Sequence, residues 1–292
     1  MKLVSFISEN KEHLGAVTDN GILLMSGGKA PGISDGTTIA DMFGSPDRFS
    51  QAKALLSGYD GDPDVRLVPE SNVVYLPCIP NPGRIFCVGL NYRRHAIETN
   101  SPIPDFPVIF SKFSDCVAAH RDVIPLPIRS SQVDYEGELG VLIGRETFQV
   151  APEDALDSVF GYFVANDVSA RDFQLRTSQW LLGKTCEKFC PIGPYVVTSD
   201  EIANPNSLRI QTMLNGHLVQ DSNTSDMIFD CKNIISYISS FLMLKPGDII
   251  LTGTPEGVIL GKPESERVWL KPGDDVTVSI EGLGALSNSF GR

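Results

Sequence analysis

Val133-Asp134-Tyr135-Glu136-Gly137-Glu138-Leu139-Gly140-Val141-Leu142-Ile143-Gly144 reads as a strand whose two faces differ in kind. Side chains alternate across a strand, so Glu136 and Glu138 share one face while Leu139, Val141 and Ile143 occupy the other. Two carboxylates side by side on a strand that leads into a core repel each other and are costly to desolvate. A hard divalent cation removes both penalties, and carboxylate oxygens suit Mg²⁺, Mn²⁺ or Ca²⁺. The plain alternative is a solvated strand end. A third carboxylate lies nearby. Phe160 to Ala165 is an apolar strand that ends at Asn166-Asp167, and the spacing predicts a helix opening at Ser169 with Asp172 in a capping box. Asp167 then occupies a strand-to-helix corner, a common place for site residues, although a helix-cap aspartate fits it equally well.

Outward from this stretch the chain shows many short apolar strands separated by Pro and Gly turns. Arg84–Leu90, Val108–Phe110, Leu139–Ile143, Val159–Ala165, Tyr195–Thr198, Arg209–Leu214, Asp248–Leu251 and Asp275–Ile280 are read as strands. Helices fit near Tyr92–Thr99, Ala170–Leu182 and Lys232–Leu242. Mostly strands with few, irregularly placed helices predict an α+β, β-rich fold and not a regular βαβ wind. No G-x-G-x-x-G or G-x-x-x-x-G-K-[ST] occurs, so nucleotide folds lack their usual signal. Residues 1–75 read as a small N-terminal α/β domain, with strands at Leu3–Ile7 and Gly15–Thr18, a Gly- and Pro-rich stretch at Gly27–Gly36, and a helix at Asp47–Leu56. Residues 76–292 form the larger, catalytic domain. Leu244-Lys-Pro-Gly-Asp248 and Leu270-Lys-Pro-Gly-Asp274 repeat five residues and are read as type II turns.

The 292-residue chain carries a net charge of -12, which argues against nucleic acid or an anionic membrane as partner. An anionic small substrate stays possible, because a bound cation reverses the local sign in a pocket. No run of about 18 apolar residues suggests a transmembrane helix, and the N-terminus lacks a signal-peptide pattern, so a cytoplasmic location is expected. The six cysteines are expected to be reduced thiols, since no zinc-ligand spacing accompanies Cys186 and Cys190.

Gly89-Leu-Asn91-Tyr-Arg-Arg-His95-Ala-Ile-Glu98 supplies the acid–base candidates. With Asn91 as helix cap, His95 and Glu98 fall three apart on one face. A carboxylate beside an imidazole fixes its tautomer and raises its basicity, as a general base needs; an exposed surface pair is the plain alternative. Thr252-Gly253-Thr254-Pro255, at the end of a strand, combines approachable backbone N–H groups with two hydroxyls and is a plausible carboxylate cradle or a simple tight turn. Lys184 can neutralise an anion or complement a helix C-terminus.

Six segments, taken in order from about Pro82 to the C-terminus, resemble the fumarylacetoacetate hydrolase superfamily, in particular its bacterial acylpyruvase and 2-hydroxyhepta-2,4-diene-1,7-dioate isomerase-like members. They are Val88-Gly-Leu-Asn-Tyr-x-x-His95-Ala-x-Glu98, Asp134-Tyr-Glu-x-Glu-Leu-Gly, Asn166-Asp-Val-Ser-Ala-Arg-Asp172, Gly183-Lys184 with Cys190-Pro-Ile-Gly-Pro194, Pro246 to Gly257, and Ile280-Glu-Gly-Leu-Gly284. One departure is Ser225-Asp-Met-Ile-Phe229, where many relatives have His before the Asp. The resemblance implies a mixed β-sandwich roll, a homodimer, and a Mg²⁺ or Mn²⁺ ion on Glu136, Glu138 and Asp167. It also implies catalytic roles for His95, Glu98 and Lys184, and substrate contacts from Arg171, Gln174, Thr252, Gly253 and Thr254. The implied activity is metal-dependent hydrolysis of a C–C bond in a small β-diketo acid such as an acylpyruvate or fumarylpyruvate. An oxaloacetate-type 2-oxo acid decarboxylase or 2-hydroxy-diene-dioate isomerase on the same site is the alternative. A binding module that has lost its chemistry, or a protein whose ion is purely structural, is the further choice.

Overall fold

The computed structural model describes residues 1–25, 37–43, 45–59 and 66–292; the Gly27–Gly36 stretch and most of the polar segment after Gly58 lie outside them. Two sheets carry the architecture. Among the described residues the larger runs in the order Leu67–Val68, Gly21–Leu24, Lys11–Thr18, Lys2–Ser8, Val196–Thr198, Val159–Asn166, Gly137–Ile143, Ile249–Leu251, Ile85–Gly89, Val108–Lys112, with Val74–Tyr75 also paired to Lys2–Ser8. The smaller runs His217–Asn223, Arg209–Leu214, Asp275–Ile280, Gly284–Gly291, Val123–Pro125. Ile249–Leu251 runs parallel to Ile85–Gly89, whereas the central Gly137–Ile143 strand is antiparallel to both its neighbours, so the sheet is mixed. Strands from the first 75 residues join this same sheet through Lys2↔Val197 and Leu3↔Val196.

The alternation read in the sequence decides how the sheets stack. Leu139, Val141 and Ile143 turn to one side and share a fully buried cluster with Ile210, Val276, Val278 and Leu286 of the smaller sheet. Leu142 turns the other way, against Ile85, Cys87, Phe163 and Ile249. The strand is buried on both faces, which is why its apolar run is nearly continuous. The fold is thus α+β and strand-rich, as the sequence predicts, with a sandwich core.

The helix at Cys231–Phe241 lies within one residue of expectation at each end. Asp230 caps it by accepting from Asn233 N at 3.0 Å, and Cys231, Ile234, Ile235 and Ile238 form its buried stripe. Both Lys-Pro-Gly-Asp turns carry glycine at φ +89 (Gly247 and Gly273), and each closes with the Asp N–H donating to the Lys carbonyl. The Ala170–Leu182 helix is not formed. Two short turns, Arg171–Gln174 and Leu181–Lys184, replace it. Between them the Thr177 hydroxyl bonds the Gln179 backbone at both its N–H and carbonyl, a local competitor of helix. The turns pack so closely that a Cβ on Gly183 would lie 2.4 Å from Gln174 N.

His120 sits where the sheets meet the N-terminal strands. Its Nδ1 accepts from Ser287 N at 3.0 Å, and its ring meets Tyr75 edge-on. Burial first, and then the Arg121 charge, lower its pKa from 6.5 to about 4, against a smaller opposing pull from Glu70. The unfolded chain therefore binds this proton before the folded one does, and stability falls as pH drops from about 6.5 to about 4. Thermal melts of His120→Gln over that window are expected to lose this contribution to the acid-side slope; an unchanged slope would remove His120 from the account.

Candidate metal centre and active-site cavity

Register brings the carboxylates together. Gly137 pairs with Asn166 and Glu138 with Ala165, so the start of one central strand meets the end of its neighbour. Asp167 N donates to Glu136 O at 2.8 Å and Glu136 N to Asn166 Oδ1 at 2.9 Å, which locks the corner. One oxygen each of Glu136, Glu138 and Asp167 then lies within 4.8 Å of the others. All three residues are buried: 5%, 2% and 0% exposed.

Three buried cations interleave with these acids. Lys184 Nζ stands 2.6 Å from Glu136 Oε2 and 2.9 Å from Asp167 Oδ2. Arg171 bridges Glu136 Oε1 at 2.6 Å and Asp134 Oδ2 at 2.9 Å. Lys112, fully enclosed, ion-pairs with the other oxygen of Asp167 and reaches Val168 O at 3.3 Å. Asp134, Glu136, Glu138 and Asp167 thus face Lys112, Arg171 and Lys184, and one acid is in excess. Glu138 is that acid: its recorded hydrogen bond is from Gly253 N at 2.8 Å, and it has no side-chain cation partner among the described residues. The pKa values follow. Burial works to raise both glutamates, but Arg171 and Lys184 bring Glu136 down to about 2. Glu138 is pushed well above the carboxylate range by burial and then by the charges of Asp167 and Glu136. A buried carboxylate without a counter-charge, in a cluster of hard oxygen donors, fits a divalent cation.

Lys112 was not legible as a site residue. Its one signal is its place on the Val108–Lys112 strand, two residues after Phe110 and on the same face, where a lysine must be paired to be buried. Lys112→Met leaves Asp167 with a single cation in a dry site. A stability loss of about 3 kcal/mol is expected in thermal or denaturant unfolding, as for other broken buried pairs. A change below ~1 kcal/mol would contradict the geometry.

His95 lies on the short Arg93–Glu98 helix, 6% exposed. Its Nδ1 is 2.8 Å from Glu98 Oε1, and the other Glu98 oxygen accepts from Gly257 N at 2.9 Å. A carboxylate can only accept, so the proton sits on Nδ1 and Nε2 is left as the base. The helix cap differs from expectation. Tyr92 is the N-cap residue, and the Asn91 amide instead donates to Phe229 O and Thr252 O while accepting from Phe229 N. Asn91 therefore ties three loops together beneath the helix. The Ser225–Phe229 segment supports it as well, since Arg94 N donates to Asp226 Oδ2 at 3.2 Å. Ser169 likewise begins no helix; its hydroxyl donates to Asp167 O, and Asp172 accepts from Ser130 and Ser131 instead of forming a capping box.

A Cβ on Gly261 would lie 2.5 Å from the Glu98 carboxyl carbon. Gly261→Ala is expected to displace Glu98, release His95 and lower kcat by about tenfold or more while the melting temperature moves by less than about 2 °C. Unchanged kcat would show that Glu98 need not be held there.

A cavity of about 640 Å³ opens on these groups, with His95, Glu98, Glu136, Glu138, Lys184 and Trp180 in its wall. Arg171, Gln174 and Thr254 also line it. Thr252 and Gly253 do not: the Thr252 hydroxyl donates to Leu139 O, and the Gly253 N–H is committed to Glu138. The turn thus holds a carboxylate of the chain itself; Thr254 lines the cavity, with its hydroxyl donating to Gly137 O and accepting from Gln220 Nε2, both at 3.0 Å. All six cysteines are free. No helix of the described residues is long and apolar enough to cross a membrane.

The strand-rich sandwich gathers its carboxylates at one sheet corner, beside a paired imidazole. Residues 84–290 match the family model described as Fumarylacetoacetate (FAA) hydrolase C-terminal, and the chain belongs to the fumarylacetoacetate hydrolase family. It is 46% identical over 230 residues to a mitochondrial oxaloacetate tautomerase of Xenopus laevis, covering 78% of this chain and 71% of that one. It is 41% identical to a fumarylacetoacetate hydrolase domain-containing protein 2 homologue of Dictyostelium discoideum, over 99% of this chain and 97% of the relative. Among solved structures, a fumarylacetoacetate hydrolase from psychrophilic Exiguobacterium antarcticum superposes with a TM-score of 0.79 at 31% identity, covering 100% and 99% of the two chains. A 2-hydroxyhepta-2,4-diene-1,7-dioate isomerase from Mycobacterium marinum gives 0.76 at 31% identity, covering 100% and 98%.

Proposed function

We propose that this enzyme moves a proton at the carbon next to the 2-oxo group of a small 2-oxo acid, interconverting enol and keto forms, with oxaloacetate the first substrate to test. The observation that carries the reading is one cavity whose wall holds Glu136 and Glu138 of the buried acidic triad together with the oriented His95–Glu98 pair. The names of relatives at 46% and 47% identity, oxaloacetate tautomerases, support it.

Glu136, Glu138 and Asp167 are the residues to hold a divalent cation, Mg²⁺ or Mn²⁺. Bound there, it supplies Lewis-acid polarisation of the 2-oxo group and acidifies the adjacent C–H. His95, its Nδ1–H held by Glu98, takes that proton at Nε2 and returns it to the substrate. The Lys184 ammonium, fixed between Glu136 and Asp167, sets positive charge where the enolate oxygen develops. Arg171 and Gln174, mutually bonded at 3.0 Å, orient the carboxylate end, and Thr254 lines the wall beside them. With this reading we keep the cytoplasmic location and the homodimer expected from the sequence; light scattering that returned a monomer would remove the latter.

C–C hydrolysis of an acylpyruvate is the second reading. It is favoured by the full-length likeness to a fumarylacetoacetate hydrolase and by a base that can equally activate water. The test is the decay of enol-oxaloacetate absorbance and the cleavage of acetylpyruvate, each with Mg²⁺ or Mn²⁺ and again after chelation. Enol decay accelerated by the protein and abolished by chelation is expected. Acetylpyruvate cleavage, with enol decay at the buffer rate, would replace the first reading by the second.

A further inference from the structure

Among the charged groups of the cavity wall, one acid and two cations have no ion-pair partner among the described residues. The acid is Glu138, already placed in the acidic cluster; Glu136 is paired with Arg171 and Lys184, and Glu98 with His95. Lys262 and Arg267 also line this cavity, both half-buried, and neither enters an ion pair among the described residues. Two further acids of the loop, Glu264 and Glu266, are exposed and form no recorded ion pair with them.

The loop that carries these cations is fixed, not loose. Ile259 N and Leu260 N donate to the two oxygens of Asp134 at 2.9 Å, so the loop hangs on the same buried aspartate that Arg171 grips. Gly261 then packs on the Glu98 carboxyl group. Arg267 Nε donates to Lys262 O at 2.9 Å, which holds the two residues together and leaves the outer guanidinium nitrogens without a recorded partner. Half-buried cations that find no acid among the described residues, set in a wall beside the acid–base pair, are arranged to receive an anion from the ligand.

We infer that Lys262 and Arg267 form the subsite for a second, distal carboxylate, so that the cavity selects dicarboxylic over monocarboxylic 2-oxo acids. This rests on the reading of the cavity as a 2-oxo acid site. It assigns specificity to two residues that make no contact with the acidic triad, and it separates oxaloacetate-like acids from simple acylpyruvates by charge.

Calorimetric titration of the Mg²⁺-loaded protein with acids of equal length tests it: 2-oxoglutarate against 2-oxopentanoate, and 2-oxoadipate against 2-oxohexanoate. Wild type is expected to prefer the dicarboxylic member of at least one pair by about tenfold or more, the worth of one charge-assisted contact. Lys262→Met keeps the backbone carbonyl that holds Arg267 and is expected to reduce the preference; combined with Arg267→Gln it should erase it, with monocarboxylate binding unchanged. Equal binding of both members of both pairs by wild type, or a preference that survives in the double variant, would overturn the inference. A preference that depends on Lys262 and Arg267 in a protein inactive on oxaloacetate would support it while overturning the tautomerase reading alone. Failure of every acid to bind would overturn both.

Discussion

Glu138→Gln is expected to abolish metal-dependent turnover while the metal-free protein melts no lower than wild type. The amide is isosteric and still offers a carbonyl oxygen to Gly253 N, so the 2.8 Å contact survives. What disappears is the one acid of the cluster that has no side-chain cation. Removing an uncompensated buried charge does not destabilise, whereas removing a paired one does. Glu136→Gln is the contrast, because it would break two buried ion pairs, leaving Arg171 with Asp134 and Lys184 with Asp167, and lower stability by about 3 kcal/mol. In activity the two variants should agree. Loss of a ligand oxygen forfeits several kcal/mol of charge stabilisation, about three orders of magnitude in kcat. Wild-type turnover in Glu138→Gln would sink the metal assignment, and a melting temperature several degrees below wild type would sink the charge count.

His95→Asn is expected to lower kcat by about 10²- to 10⁴-fold, the usual contribution of a positioned general base, with metal affinity retained. Glu98→Gln should fall by less, because the amide oxygen can still accept from one of His95 Nδ1 and Gly257 N, while its NH2 group cannot accept from the other. Steady-state kinetics on enol-oxaloacetate with parallel metal titrations separates these effects. If His95→Asn turned over at the wild-type rate, Nε2 would not be the proton acceptor.

Local patterns carried the fold well where burial and periodicity agree. The two-faced Gly137–Ile143 strand, the strand Arg209–Leu214 and the stripe of the Cys231–Phe241 helix were all readable, because alternation or a 3.6-residue repeat is enforced by a core on a known side. The Ala170–Leu182 segment misled because its composition suits a helix, while the polar Thr177 turn and the close approach of Gly183 to Gln174 are tertiary facts. Asn91 and Asp172 look like caps, since cap residues and loop-tying residues are the same types; only the fold shows that Asn91 binds Phe229 and Thr252. Glu136, Glu138, Asp167, His95 and Glu98 could be marked from local motifs. Lys112 could not, because the acid it meets is 55 residues away in sequence. The pair Lys262 and Arg267 was silent for a different reason: a lysine and an arginine in a polar loop look like any solvated surface until the cavity wall is seen.

Titration of Mn²⁺ into chelator-treated protein, followed by electron paramagnetic resonance of the free ion, reads out whether Glu136, Glu138 and Asp167 hold a divalent cation. Wild type is expected to take up a single Mn²⁺ per chain, and Asp167→Asn none at the same concentrations. Equal uptake by the two proteins, or no uptake by wild type, would contradict the metal assignment.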